Sequence, residues 1–149
     1  MTQLYETLHH RITLGINKSG GLKKKLFTKA VELGTQRYQR PGSLSLGQTI
    51  ADRVLDRLVR YKVRERFGGR LKALVSGGAP LNPDIGLFFT ALGLRILQGY
   101  GQTETSPSVS VNTPEGLKLH TVGPPMKGVE VRIADDGEIL VKGDLVMQG

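Results

Sequence analysis

The chain has 149 residues, 38% hydrophobic and 23% charged, with 21 Lys and Arg against 13 Asp and Glu for a net charge of +8. That balance excludes disorder and collagen and suits one folded domain; zero cysteines exclude disulfides and thiolate chemistry, and no apolar run reaches the ~20 residues of a membrane span. The charge is lopsided, since residues 1–75 hold 16 basic against 5 acidic side chains, or +11, whereas residues 76–149 hold 5 against 8, or −3.

The opening segment MTQLYETLHH lacks the apolar core of a secretion signal, so a soluble, cytoplasmic protein is expected. His9 and His10 lie there in a polar stretch without a second ligand at metal spacing, which favours solvated histidines over a metal site. From Leu22 to Tyr38, apolar Leu22, Leu26, Phe27, Ala30, Val31 and Leu33 recur every three to four residues, with Lys23, Lys24, Lys25 and Lys29 between them. This spacing predicts an amphipathic helix with a basic start. After a break at Pro41-Gly42-Ser43, a second helix runs from Gln48 to Phe67 through Ile50, Val54, Leu55, Leu58 and Val59, and Gly68-Gly69 stops it.

The period then changes. Leu71 to Val75 is a short apolar run ending at Ser76-Gly77-Gly78, which predicts a buried strand entering a tight loop. Pro80, Asn82 and Pro83 open a helix over Asp84–Leu92 that Gly93 ends, and Leu94–Gln98 is a second strand running into Gly99-Tyr100-Gly101. Strand, helix and strand in that order predict a right-handed parallel crossover, with ligands expected at the carboxyl ends of the strands. Beyond Asn112 the pattern is β-like, and residues 129–142 read as a hairpin turning at Asp135-Asp136-Gly137. The paired aspartates are better explained by that turn than by acid/base chemistry. His120 has no metal-spaced companion either, and the chain stops abruptly at Gly149, as at a cut.

The fold class is therefore α/β: N-terminal helices, a parallel β-α-β crossover, then a C-terminal antiparallel hairpin. It divides into a basic helical segment, 1–69, a loop-bearing crossover, 70–112, and a β-rich segment, 113–149. Within the crossover, Ser76-Gly77-Gly78-Ala79-Pro80 lets backbone lie flat against a ligand, although the same residues also suit an ordinary strand-to-helix turn. In Gly99-Tyr100-Gly101-Gln102-Thr103-Glu104-Thr105-Ser106, Tyr100 can offer a ring face to a heterocycle, Thr103 a hydroxyl donor to an anionic oxygen, and Glu104 a hard carboxylate to Mg²⁺. The competing reading is a polar turn whose Thr and Glu merely cap the next segment.

These two motifs, followed by Val122-Gly123-Pro124-Pro125 and Gly137-Glu138-Ile139-Leu140-Val141-Lys142-Gly143, resemble consecutive core motifs of the AMP-forming acyl-CoA synthetases. That family belongs to the adenylate-forming superfamily with firefly luciferase and peptide-synthetase adenylation domains. The resemblance covers about residues 70–149, and the basic helical segment from Arg11 to Tyr38 is similar to the long-chain fatty-acid branch. It implies a piece of a larger adenylate-forming domain, with fatty acid, ATP (leaving as AMP), Mg²⁺ and coenzyme A as the ligands of the whole protein. It further implies that Ser76, Gly77, Gly78 and Ala79 line the adenine pocket, Tyr100 stacks on adenine, Gly99 and Gly101 permit close approach, Thr103 bonds the α-phosphate, and Glu104 holds Mg²⁺. Gln102 departs from the Leu or Met more usual in the family. The family's pyrophosphate loop with its lysine, its ribose-binding aspartate and its C-terminal lysine do not occur here, so the chain alone is expected to be inactive. The +11 of the first half raises two other readings, a nucleic-acid module and a helix lying on an anionic membrane. The first lacks interleaved aromatics and any recognition motif; the second is compatible with a fatty-acid substrate.

Overall fold

A computed structural model describes residues 2–148, so the abrupt end expected at Gly149 lies outside the described residues. The helices are α1 (Thr2–Asn17), α2 (Gly21–Gln39), α3 (Leu46–Leu55), α4 (Tyr61–Arg66) and α5 (Pro83–Ala91), with a π-helical turn over Asp56–Arg60 between α3 and α4. The strands are β1 (Leu74–Ser76), β2 (Ile96–Tyr100), β3 (Ser110–Val111), β4 (Glu130–Ile133) and β5 (Ile139–Lys142). The chain divides into two compact units that interleave along the sequence: residues 2–74 with 82–96, and residues 75–81 with 97–148.

In the helical unit, α2 follows its predicted span closely and buries Phe27, Ala30, Leu33 and Gly34. Its crossing with α5 is close because Gly34 has no side chain: a Cβ there would overlap the carbonyl of Ala91. Ala30, Leu33 and Leu55 form the inner cluster, flanked by Leu26, Leu44, Ala51 and Val59. A second cluster is aromatic. Phe88 meets Phe89 at 5.5 Å and the ring of His9 at 4.5 Å, both edge to face, and lies tilted against Phe27 at 6.1 Å, while Tyr5 meets Phe89 at 6.3 Å. His9 is thus not the solvated residue its polar neighbours implied. Its helix turns it toward Phe88, a contact invisible in a local pattern.

The second predicted helix is interrupted by the π turn, and ion pairing accounts for the register. Arg60 is fully buried and donates to Asp52 Oδ1 at 2.6 Å and to the carbonyls of Ala30, Asp52 and Ala91 at 2.6, 3.1 and 2.7 Å. Arg64 holds both oxygens of Asp56 at 2.9 and 2.8 Å. Each pair is eight residues apart. Two α turns span only ~7.2 residues, whereas one α turn of ~3.6 and one i→i+5 turn of ~4.4 sum to ~8, which brings i and i+8 into line. Arg37 adds a second bond to Asp52 at 2.7 Å. The Arg64 guanidinium, by direct hydrogen bonding first and by its charge as well, holds the Asp56 carboxyl below its ordinary value against the opposing effect of burial.

The ends of the helices follow the sequence signals. Ser45 and Gln48 form a reciprocal cap on α3. Asn82 accepts the Asp84 N–H at 2.9 Å to start α5. Gly93, at φ +79°, ends α5 with Gly93 N–H on the Thr90 carbonyl and Leu94 N–H on the Phe89 carbonyl.

In the other unit the three-stranded sheet has the order β1-β2-β3, with β2 and β3 antiparallel and Gly99 opposite Val111. β1 and β2 are neighbours joined through a helix, as the crossover predicts. Two details differ from the sequence expectation. Strand β1 begins three residues later than the apolar run, and its Val75 is 56% exposed rather than buried. Strand β2 carries on through Gln98 and Gly99 to Tyr100, because the Tyr100 carbonyl is taken by the Val109 N–H at 2.8 Å. The hairpin β4–β5 pairs Glu130 with Lys142 and Ile133 with Ile139, and Asp136 accepts the Glu138 N–H within its turn, which is the turn role expected of the Asp-Asp-Gly sequence.

Candidate functional site

The two glycine loops leave the carboxyl ends of β1 and β2 and lie against each other: a Cβ on Gly77 would stand 3.7 Å from the Gly99 carbonyl oxygen. Ser76, the last residue of β1, is completely buried, and among the described residues its hydroxyl has no hydrogen-bond partner. An unpaired buried hydroxyl costs about 1–3 kcal/mol. After it, Gly78 takes φ +83° with open space around its α-carbon, and Ala79 and Pro80 are exposed. The glycine pair therefore does what its type permits, keeping that edge free of side chains.

The far end of this loop is tied down. The Leu81 N–H donates to Gln98 Oε1 at 2.6 Å, and Gln98 Nε2 donates to the Thr121 carbonyl at 3.4 Å. Asn112, 2% exposed, repeats the device: its Nδ2 reaches the same carbonyl at 2.6 Å and that of Lys118 at 3.2 Å. Two buried amides thus sew the first glycine loop, β2 and the 118–121 segment together. The sequence reading passed over both. The available signal was a primary amide directly after the apolar pair Ile96-Leu97, where a hydrophobe would be ordinary.

The second loop is held by its own backbone. After Gln102, residues Thr103–Thr105 make one 3₁₀ turn. The Thr105 N–H donates to the Gln102 carbonyl at 2.9 Å, and the Gln102 N–H to Thr105 Oγ1 at 3.1 Å. Gln102 therefore serves as the entry residue of the turn through its main chain. Thr105, buried, does the capping that Thr103 and Glu104 were candidates for. The Glu104 carbonyl accepts the Met147 N–H at 2.8 Å, and the Ser106 hydroxyl donates to the Leu145 carbonyl at 2.9 Å from a left-handed backbone at φ 51°. The Thr103 and Glu104 side chains are exposed and, among the described residues, have no hydrogen-bond or ion-pair partner. Tyr100 is half-buried beside them.

The glycines of this loop face their own chain. A Cβ on Gly101 would overlap the Pro107 carbonyl, and one on Gly99 would stand 3.0 Å from the Ser110 carbonyl. Their smallness is already required by the turn. Gly123 is the same case, at φ +77° against Val111. An orphaned hydroxyl at the root of an open glycine loop, a half-buried ring, and a free hydroxyl and carboxylate on the adjoining turn fit the donor set that a nucleotide and Mg²⁺ require. Among the described residues there is no group of three or more metal-ligating side chains. A single carboxylate suits Mg²⁺, which retains waters and takes phosphate oxygens, better than a protein-built cage.

The family described as "AMP-binding enzyme" matches residues 25–149. The long-chain-fatty-acid–CoA ligase FadD15 of Mycobacterium bovis is 50% identical over 96 residues, 64% of this chain and 16% of that protein. The peroxisomal long chain acyl-CoA synthetase 6 of Arabidopsis thaliana is 32% identical over an alignment covering 99% of this chain and 22% of that one. The crystal structure of apo MatB from Rhodopseudomonas palustris superposes with a TM-score of 0.50 at 32% identity, covering 58% of this chain and 19% of that one. The chain thus spans about a fifth of the length of the relatives it matches.

Proposed function

The chain belongs to the AMP-binding enzyme family, and from that premise we propose that it supplies the adenine and α-phosphate side of the active site in a long-chain fatty-acid–CoA ligase. The observation that carries the proposal is the pairing of Thr103 and Glu104. On a loop whose every structural need is met by backbone, Thr105 and Ser106, these two side chains are left free at the carboxyl end of β2, where ligands bind.

In the reaction assigned to the whole protein, a fatty-acid carboxylate oxygen attacks the α-phosphorus of ATP and pyrophosphate leaves. The thiol sulfur of coenzyme A then attacks the acyl carbon, and AMP leaves with the electron pair of the broken C–O bond. Tyr100 orients the purine by ring contact, with Gly77, Gly78 and Ala79 presenting backbone to its edge and Ser76 supplying the hydroxyl at the root of the loop. The Thr103 hydroxyl donates to an α-phosphate oxygen, a bond that strengthens as charge gathers there in the transition state. The Glu104 carboxylate would hold Mg²⁺, which would supply positive charge as negative charge gathers at the reacting phosphate. Gln98 acts as a positioning residue, since it fixes the two loops to each other.

The test is Glu104→Gln in the full-length protein carrying this segment, read by ATP–pyrophosphate exchange. The amide keeps size and removes charge. Exchange falls at least about a hundredfold if the carboxylate holds the metal beside the reacting phosphate, with the thermal midpoint unchanged; near-normal exchange at ordinary Mg²⁺ would remove Glu104 from the site. The 149-residue chain alone is expected to release no AMP from ATP and fatty acid, and robust turnover by it would contradict the assignment of only part of a site.

A further inference from the structure

The last turns of α1, the link to α2 and the first turns of α2 are cationic and largely exposed, with an exposed leucine on each side of the link. Between Arg11 and Thr28 there is no acidic residue, and Arg11, Lys18, Lys23, Lys24 and Lys25 are all exposed. Leu14 is 43% and Leu22 72% exposed, one on the last turns of α1 and the other on the first turn of α2. The three-residue link, Lys18 to Gly20, is pinned by Lys18 N–H and Ser19 N–H on the Leu14 and Ile16 carbonyls, and by the Ser19 hydroxyl at 2.7 Å from the Ile16 carbonyl. Both leucines and all the lysines are therefore carried on ordered backbone.

This arrangement is unfavourable for the folded chain by itself. Helix α2 starts after Gly20 without a side-chain cap and without an acid in its first turn, and Lys23, Lys24 and Lys25 crowd its positive end. Cations at a helix N-terminus are opposed by the helix dipole. Three successive positions, about 100° apart, rim the helix end rather than marking one side of it. The inward side is already filled by Phe27 and Ala30. A large anionic surface met end-on satisfies all of these cations together.

We propose that the α1–α2 corner is a docking surface for an anionic phospholipid bilayer, with Leu14 and Leu22 seated at the headgroup boundary and the five cations on lipid phosphates and carboxylates. Charge complementarity selects the anion, and the exposed leucines select a bilayer over nucleic acid. A phosphodiester backbone rewards the lysines but gives two aliphatic side chains nothing to bury against. No described helix is long and apolar enough to cross the membrane, so the contact is peripheral. The proposal is independent of the ligase assignment, and its test uses no nucleotide, so each can fail without the other.

The experiment is sedimentation of the full-length protein carrying this segment with vesicles of phosphatidylcholine alone and with about 30% phosphatidylserine, at salt concentrations on either side of about 0.1 M. The protein sediments with the anionic vesicles, not the neutral ones, and is released by salt. Lys23→Gln/Lys24→Gln/Lys25→Gln lowers the partition coefficient about a hundredfold, from the loss of three surface cations. Leu14→Ser/Leu22→Ser, which keeps every charge and changes only exposed positions, lowers it about tenfold. Helix content by circular dichroism is checked for both variants. Failure to sediment, equal binding to neutral vesicles, or wild-type binding by the folded lysine variant would overturn the proposal. So would wild-type binding by the leucine variant, above all if duplex DNA competed equally well, which would mark the corner as a site for any polyanion.

Discussion

The two units of this chain use their polar side chains in opposite ways. In the helical unit, charged groups hold the fold: Arg60 and Asp52 are buried together, Arg37 joins them, and Arg64 grips Asp56. In the strand-rich unit, uncharged amides hold it, with Gln98 and Asn112 tying loops to strands, while the carboxylate of Glu104 and the hydroxyl of Thr103 have no structural partner among the described residues. The difference separates stabilising from functional polarity. A charge satisfied by its own chain has little left to offer a ligand, and a free charge on a loop fixed by other atoms can be given to one.

That contrast is broken most severely at Arg60. Arg60→Leu leaves the Asp52 carboxylate and three carbonyls without their buried donor, and a loss of about 3–5 kcal/mol is expected. Urea titration reads it as a fall in midpoint at constant slope, and a loss below about 1 kcal/mol would show that the pair is dispensable. Next comes Gln98→Leu, which strands the Leu81 N–H and should cost about 1–3 kcal/mol. It should also weaken nucleotide binding in the full-length protein, because the first glycine loop is released from β2.

A smaller effect is expected from pH. The Asp56 carboxyl is lowered in the folded chain, so its contribution is complete above the ordinary carboxylate range and is lost as pH falls from about 4 through the lowered value. The stability difference between the parent chain and Asp56→Asn should accordingly shrink as acid is added below pH ~4, in thermal melts taken at a series of pH values. A difference that stayed constant would mean that the Arg64 contact does not discriminate the charged form. Smallest of all is Glu104→Gln, which should move stability by no more than about 0.5 kcal/mol. A larger loss would place Glu104 with the structural charges and erase the distinction between the units.

Much of the layout was legible from local pattern. The periodicity of Leu22 to Leu33 and of Ile50 to Val59 marked α2 and the α3–α4 segment, Asn82 and Gly93 marked the ends of α5, and Asp135-Asp136-Gly137 marked the hairpin turn. Local rules suffice there because a helix face, a cap and a tight turn are each decided within a few residues. Strand limits were less legible, since β1 and β2 end where their partners do and the partner β3 is only two residues long.

The amino-acid sequence by itself determined which side chains could meet a nucleotide: the glycine pair after Ser76 and the run from Gly99 to Glu104 are chemistry written in consecutive residues. Only the tertiary structure decided which of them are free to do so. It assigns Gly101 to the Pro107 carbonyl, Thr105 and the Gln102 backbone to the turn, and His9 to the Phe88 ring, and it leaves Thr103 and Glu104 unclaimed. It also decided the fate of the basic half: Arg60 lies inside, satisfied by groups 8, 30 and 31 residues away, while Lys23, Lys24 and Lys25 remain outside. The reason is physical. A charge is worth what surrounds it, and at such separations the surroundings are set by how helices cross and loops close, not by neighbours in the chain.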